Sequence, residues 1–90
     1  MEEREEIRST ADVDATIESA LLQLVLELHP ASLTLAELVR EMGEEGGGPA
    51  GRDAIERALR DLVAAGLLHH SDAFVRPTRA ALRFDQLLEA

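Results

Sequence analysis

Three histidines, eighteen carboxylates and nine arginines are the side chains in this sequence that could do chemistry. His69 and His70 are adjacent, and neighbouring residues on a strand point to opposite faces, so this pair cannot chelate one metal ion. Zinc sites use closed sets of ligands, and the chain has neither cysteine nor a further histidine beyond His29. We therefore expect no metal site.

The carboxylates do not form a recognisable acid–base constellation with a nucleophile or a metal. The glycines at 46–48 precede a predicted helix, as a phosphate-binding loop would. However, the chain lacks the phosphate-loop motif and has no lysine, so a hinge is the better interpretation. We expect no enzymatic activity, no catalytic residues and no cofactor.

Charge is distributed unevenly along the chain, whose formal net charge is −9. Residues 1–51 hold twelve acidic residues and three arginines, whereas residues 52–90 hold six of each. A nucleic-acid-binding protein usually carries a basic footprint. Residues 52–90 therefore carry no excess of negative charge, but they are not basic either. Both nucleic acid and protein remain possible partners.

Length and composition predict one small domain over residues 13–90, preceded by a charged segment. Residues 1–12 are either an acidic tail or an extension of the first helix. The N-terminus is acidic rather than apolar, and no apolar run could span a membrane. We expect a cytoplasmic protein without a membrane partner.

The first predicted helix covers residues 13–28 and ends because a residue before proline disfavours the helical region. One apolar stripe predicts its core face: Val13, Ile17, Ala20, Leu21, Leu24, Val25 and Leu28. A second stripe lies on another side of the same helix: Ala15, Ser19, Leu22 and Leu26. The second stripe predicts a further contact, either with the C-terminal helix or with a second subunit.

Local signals place the remaining elements. Thr34 and Glu37 form a capping box that begins a helix over residues 35–43, after a bridge strand within 31–34. A flexible loop of about eight residues, 44–51, is expected at the glycine cluster. The third helix covers 52–65, although Pro49 at its first position would allow an earlier start, and it ends at Gly66. A hairpin follows, with strands at 67–70 and 73–76 around Ser71–Asp72, and Pro77 ends it; the last helix covers 79–88.

This order of elements resembles the winged helix-turn-helix domain of bacterial transcription regulators. The resemblance rests on Leu35-Ala-Glu-Leu-Val39, on the pattern from Ile55 through Leu59 and Leu62 to Gly66-Leu67-Leu68, and on the segment from Phe74 to Leu82. It implies a mainly α fold with a small β-hairpin wing, in which a three-helix core is followed by a C-terminal helix.

The resemblance further implies a transcription regulator that binds double-stranded DNA through the outward face of the third helix and through the wing. Carried onto this chain, the contacts are Arg52, Arg57, Arg60, Arg76 and Arg79. Ion pairs at i,i+4 spacing would also place acidic groups on this face: Asp53–Arg57, Glu56–Arg60 and Arg57–Asp61.

A homodimer is expected, because two copies place two recognition helices on successive faces of the groove. The predicted subunit contact combines the second stripe of the first helix with the last helix: Ala15, Ser19, Leu22, Leu26 and Leu82. The alternative is an acidic module of the same fold that binds a protein partner or a second copy without binding DNA.

Overall fold

The protein is mainly helical, with a small antiparallel sheet. A computed structural model describes residues 10–46 and 48–89, and gives side-chain surroundings for 14–43 and 51–89. Within these residues the helices are α1 (Thr10–Leu28), α2 (Leu35–Gly46), α3 (Gly48–Ala64) and α4 (Arg79–Glu89). The strands are β1 (Leu33–Thr34), β2 (Leu68–Ser71) and β3 (Phe74–Pro77), in the order β1-β3-β2. No helix of the described residues is long and apolar enough to cross a membrane.

The core lies where α1, α2 and α3 meet one face of the sheet. Leu21 and Val25, in the predicted core stripe of α1, are fully buried, and Ile17 and Leu24 pack beside them. The other buried members of this cluster come from α2, α3 and the three strands: Leu33, Leu38, Ala58, Leu59, Leu62, Leu68 and Val75. The apolar periodicity therefore identified the centre of the buried face of α1, although Ala20 and Leu28 of the predicted stripe are exposed.

α1 begins at Thr10, three residues earlier than predicted, and ends at Leu28 as predicted. Residues 10–12 are thus an extension of the helix rather than a tail; residues 1–9 lie outside the described part of the chain. The peptide bond between His29 and Pro30 is cis. The chain then enters β1, whose two residues pair with β3 and form the short bridge strand that the sequence predicted.

The capping box at the start of α2 is confirmed. The Thr34 amide donates to the Glu37 carboxylate at 2.9 Å, and the Glu37 amide donates to the Thr34 hydroxyl at 3.1 Å. These two bonds satisfy amides that lack partners within the helix. The short sequence Thr34-Leu-Ala-Glu37 thus determines where α2 begins, and with it the position of Leu38 in the core.

The predicted eight-residue loop at 44–51 is wrong. α2 continues to Gly46 and α3 begins at Gly48, so one residue separates the two helices. Glycine costs a helix only about 1 kcal/mol relative to alanine. Proline is compatible with the first helical turn, where Pro49 lies, because its missing amide hydrogen would have no partner there. A glycine cluster is therefore a weaker helix stop than the sequence interpretation assumed.

The β2–β3 hairpin is present, but its turn is Asp72–Ala73 rather than Ser71–Asp72. Both turn residues have positive φ, 53° and 69°, as a type I′ turn requires. Ser71 pairs with Phe74, and Leu68 pairs with Pro77. This register places Leu68 and Val75 together on the buried face of the sheet. Burial of these two side chains, rather than the turn residues alone, fixes the register.

Gly66 ends α3 as predicted. Its φ is +84°, and the amides of Gly66 and Leu67 donate to the carbonyls of Val63 and Leu62 at 3.0 Å each. This pattern is a Schellman motif, in which glycine adopts the left-handed conformation at low cost. Thr78 joins the same corner to α4, since its hydroxyl donates to the Gly66 carbonyl at 2.8 Å and accepts from the Ala81 amide at 3.1 Å.

Thr78→Ala is expected to lower the free energy of unfolding by about 1–2 kcal/mol, because it removes the N-cap of α4 together with the bond to Gly66. Urea unfolding monitored by circular dichroism measures this change. Thr78→Ser keeps the hydroxyl and is expected to stay within about 0.5 kcal/mol of the wild type. Equal losses in the two variants would show that the methyl group, not the hydroxyl, stabilises this corner.

Candidate functional site

The outward face of α3 carries most of the arginines that the sequence singled out. Ile55, Leu59 and Leu62 face the core, and the exposed positions within 52–61 are all charged. These exposed residues are Arg52, Asp53, Arg57, Arg60 and Asp61. The structure thus brings three of the five candidate arginines onto one side of a single helix.

Arg52 and Glu56 form an i,i+4 ion pair on this face, with the Arg52 Nε 3.0 Å from a Glu56 carboxylate oxygen. The sequence interpretation had paired Glu56 with Arg60 instead. Both side chains are well exposed, at 50% and 37%. An exposed pair of this kind stabilises a protein by about 0.2–1 kcal/mol, so a stronger anion can replace the carboxylate.

Arg57 is paired across the fold rather than along its own helix. Its Nη2 lies 3.6 Å from a carboxylate oxygen of Asp14 on α1, whereas the sequence had predicted Asp53 and Asp61 as its partners. α1, which carries Asp14, packs along α3. This partner could not be predicted from spacing, because it depends on how the two helices cross.

Three carboxylates from α1 and α3 lie together beside Arg57: Asp14, Glu18 and Asp61, here called the acidic trio. The pKa of Glu18 is raised above its ordinary value, first by burial, then by hydrogen bonding with Asp61 and by the negative charges of Asp61 and Asp14. Among the described residues, no group of three or more His, Cys, Asp or Glu side chains is arranged to hold a metal ion. The trio places negative charge at the edge of α3.

An open groove of about 450 Å³ runs between α3, the start of α2 and β2. We call it the α3–β2 groove, and its lining is Leu35, Glu56, Leu59, Arg60, Val63 and His70. His70 pairs with the buried Val75 and so lies on the core-facing side of the sheet. Alternation placed His69 and His70 on opposite faces, but not against a particular helix.

The other two candidate arginines lie apart from α3. Arg76 is exposed on β3, opposite His69 and on the outer face of the sheet. It is next to the base of the hairpin, whose turn carries Asp72 and no basic residue. Arg79 is exposed and is the first residue of α4. Of the five arginines, the three on α3 are therefore the ones that share a surface.

The predicted subunit contact on α1 is divided by the fold. Ala15 and Ser19 are exposed, while Leu22 packs against the core of its own chain. Leu26 is half-buried and lines a groove with Leu88 of α4. Leu82, the predicted contact on α4, is also half-buried. Much of the second stripe is thus already used within the chain.

α4 instead exposes a row of large apolar side chains. Phe84, Leu87 and Leu88 are 59%, 54% and 68% exposed, at i, i+3 and i+4 spacing on one side of the helix. We call these three residues the α4 stripe. Only Ala81 of this helix is buried. Contiguous exposed apolar side chains are typical of an interaction surface.

Comparison of the chain with protein-family models, with curated proteins and with solved structures gave no significant match.

Proposed function

We propose that this protein is a winged helix-turn-helix regulator that binds double-stranded DNA as a homodimer. The observation that carries the proposal is the exposed face of α3, where Arg52, Arg57 and Arg60 lie on one side of a helix that directly follows α2. The antiparallel sheet of order β1-β3-β2, with a hairpin directly after α3, is the further support.

In this proposal α3 lies in the major groove, and its arginines bind phosphate oxygens or guanine edges. Arg52 and Arg57 first give up carboxylate partners at 3.0 Å and 3.6 Å. Exchanging two exposed ion pairs costs at most about 2 kcal/mol. The release of condensed counterions from DNA offsets this cost at low salt. A single copy is then a weak binder, and affinity falls steeply with salt.

Dimerisation compensates for the weak single module. The α4 stripe supports a contact through α4, because these side chains are the most exposed large apolar residues among those described. Ala15 and Ser19 remain available on α1 as a secondary part of that contact. Two linked copies bind DNA more tightly than one, since the second binding event becomes intramolecular.

The test is fluorescence anisotropy of a labelled random duplex at about 50 mM salt, a regime in which non-specific binding is strong. Wild-type protein is expected to bind at micromolar concentration. Replacing Arg52, Arg57 and Arg60 by Gln is expected to weaken binding and to reduce the slope of log K against log salt by about 2–3 units. Arg83→Gln removes a charge from an exposed position of α4 and is the control. Absence of binding by the wild type, or equal loss per charge in the control, contradicts the proposal.

A second candidate function is a protein-interaction module of the same fold, and the acidic trio specifically favours it. Asp14, Glu18 and Asp61 adjoin the arginine face and repel phosphate, whereas a protein partner can place cations against them. In this case size-exclusion chromatography with light scattering shows an assembly through the α4 stripe, while duplex DNA does not bind at any salt concentration.

A further inference from the structure

We propose that the α3–β2 groove binds a small organic anion with an apolar body, such as a medium-chain or aromatic carboxylate. Nothing in this inference requires the protein to bind DNA. The volume of the α3–β2 groove, about 450 Å³, lies within the range of about 300–1,000 Å³ that is common for small-molecule sites. The composition of its walls then decides which chemical class fits.

The base of the groove is apolar. Leu59 is buried in the core, Leu35 packs against the core, and Val63 is 38% exposed on the surface of α3. A valine exposed to this extent beside two leucines gains from being covered by a hydrocarbon group. The apolar part of a ligand is therefore expected to lie against these three side chains.

The polar lining favours a negative head group. Arg60 has no ion-pair partner among the described side chains, so its guanidinium is free to bind a carboxylate through two hydrogen bonds. His70 lies across the groove on β2 and offers a second donor. The single acidic residue in the lining, Glu56, is already paired with Arg52 at 3.0 Å. Among the described residues, the groove thus presents a guanidinium without an ion-pair partner, an imidazole and a carboxylate that is already paired with Arg52.

The probe is octanoate, titrated into uniformly labelled full-length protein and followed by NMR. Because the groove is open, we expect a dissociation constant of roughly 0.1–1 mM. The methyl signals of Leu59 and Val63 and the ring signals of His70 are expected to shift together. Octanol, which has the same chain without the charge, is expected to bind at least tenfold more weakly.

Three variants make the test specific. Arg60→Gln is expected to weaken octanoate binding about tenfold, and Glu56→Gln to strengthen it by two- to threefold by removing the acidic group from the lining. Arg83→Gln, on the exposed surface of α4, is expected to change nothing. The proposal is overturned if octanol binds as tightly as octanoate, if Arg60→Gln binds normally while its spectrum shows a folded chain, or if the shifts map outside the groove.

A bound anion would also cover Arg60. If the proposed DNA binding is correct, octanoate is expected to weaken it, and Arg60→Gln is expected to abolish this competition. The two proposals fail separately, since the NMR titration contains no DNA and the anisotropy measurement contains no octanoate.

Discussion

Neutralising the acidic trio, with Asp14→Asn, Glu18→Gln and Asp61→Asn combined, is expected to raise the affinity for duplex DNA about tenfold at 0.1 M salt. All three carboxylates lie beside the α3 face that would approach the phosphates. At that ionic strength charges interact over roughly 10 Å. Removing one such repulsion is expected to improve the free energy of binding by about a few tenths of a kcal/mol for each nearby phosphate, in a dielectric close to that of water. A tenfold change in affinity corresponds to about 1.4 kcal/mol in total.

Asp14→Asn contributes in a second way, because it frees Arg57 from its partner at 3.6 Å. A matched control removes the same net charge elsewhere, with Glu27→Gln, Glu41→Gln and Glu89→Gln at exposed positions of α1, α2 and α4. If this control variant gains as much affinity as the trio variant, net charge rather than the position of the trio limits binding. If neither variant binds DNA while both remain folded, the protein-interaction function is favoured.

Because of Glu18, the stability of the folded chain is expected to depend on pH in a defined direction. Its raised pKa means that the folded chain holds the proton more tightly than the unfolded chain does. The associated stability is therefore present at low pH and is lost as pH rises from the ordinary carboxyl value through the raised pKa. Glu18→Gln is expected to be more stable than the wild type at pH 7 by about a few tenths of a kcal/mol, because the Glu18 side chain is only partly buried and solvent screens its interactions.

Urea unfolding of the wild type and of Glu18→Gln across this acidic range measures the effect. The stability difference is expected to shrink as the pH falls, because protonation neutralises Glu18 in the wild type just as the substitution does. In the DNA-binding measurement, the same protonation is expected to strengthen binding on acidification. A Glu18→Gln variant that is less stable at pH 7 would show that the Glu18 carboxylate makes a favourable contact instead.

Signals within a few residues predicted three boundaries of the fold: the start of α2, the end of α3 and the end of the hairpin. Thr34 with Glu37, Gly66 and Pro77 each act through local hydrogen bonds or backbone restrictions, and each lies where the sequence placed it. The glycine cluster failed as a signal because its cost within a helix is small enough for the surrounding structure to overcome. Capping motifs therefore predict a helix boundary better than a cluster of glycines does.

The candidate site was only partly predictable, because its important contacts join distant segments. The exposed face of α3 follows from the apolar period of Ile55, Leu59 and Leu62. The pairing of Arg57 with Asp14 depends on how α1 crosses α3. The approach of His70 to Arg60 depends on how the sheet packs against the helices. Neither relation follows from the periodicity of the sequence. The first gives Arg57 an ion-pair partner, and the second sets the polar lining of the α3–β2 groove.

Leu87→Glu combined with Leu88→Glu is expected to weaken homodimer formation by at least about 100-fold, because two exposed apolar side chains at the centre of a contact commonly carry several kcal/mol. The two leucines are 54% and 68% exposed, so the monomer is expected to stay folded. Light scattering over a concentration series measures the mass, and circular dichroism checks the fold.

Ala15→Glu combined with Ser19→Glu adds the same charges to the exposed side of α1 and is the matched comparison. Leu22 is unsuitable for this purpose, because it packs against its own core and a buried glutamate would unfold the chain. If only the double substitution on α4 dissociates the dimer, the contact lies on the α4 stripe. If only the double substitution on α1 does so, the contact lies on the second stripe of α1, as the sequence predicted. If the wild-type protein stays monomeric at every concentration, the α4 stripe is expected to bind a different protein. In that case α3 would bind DNA only as a single weak module.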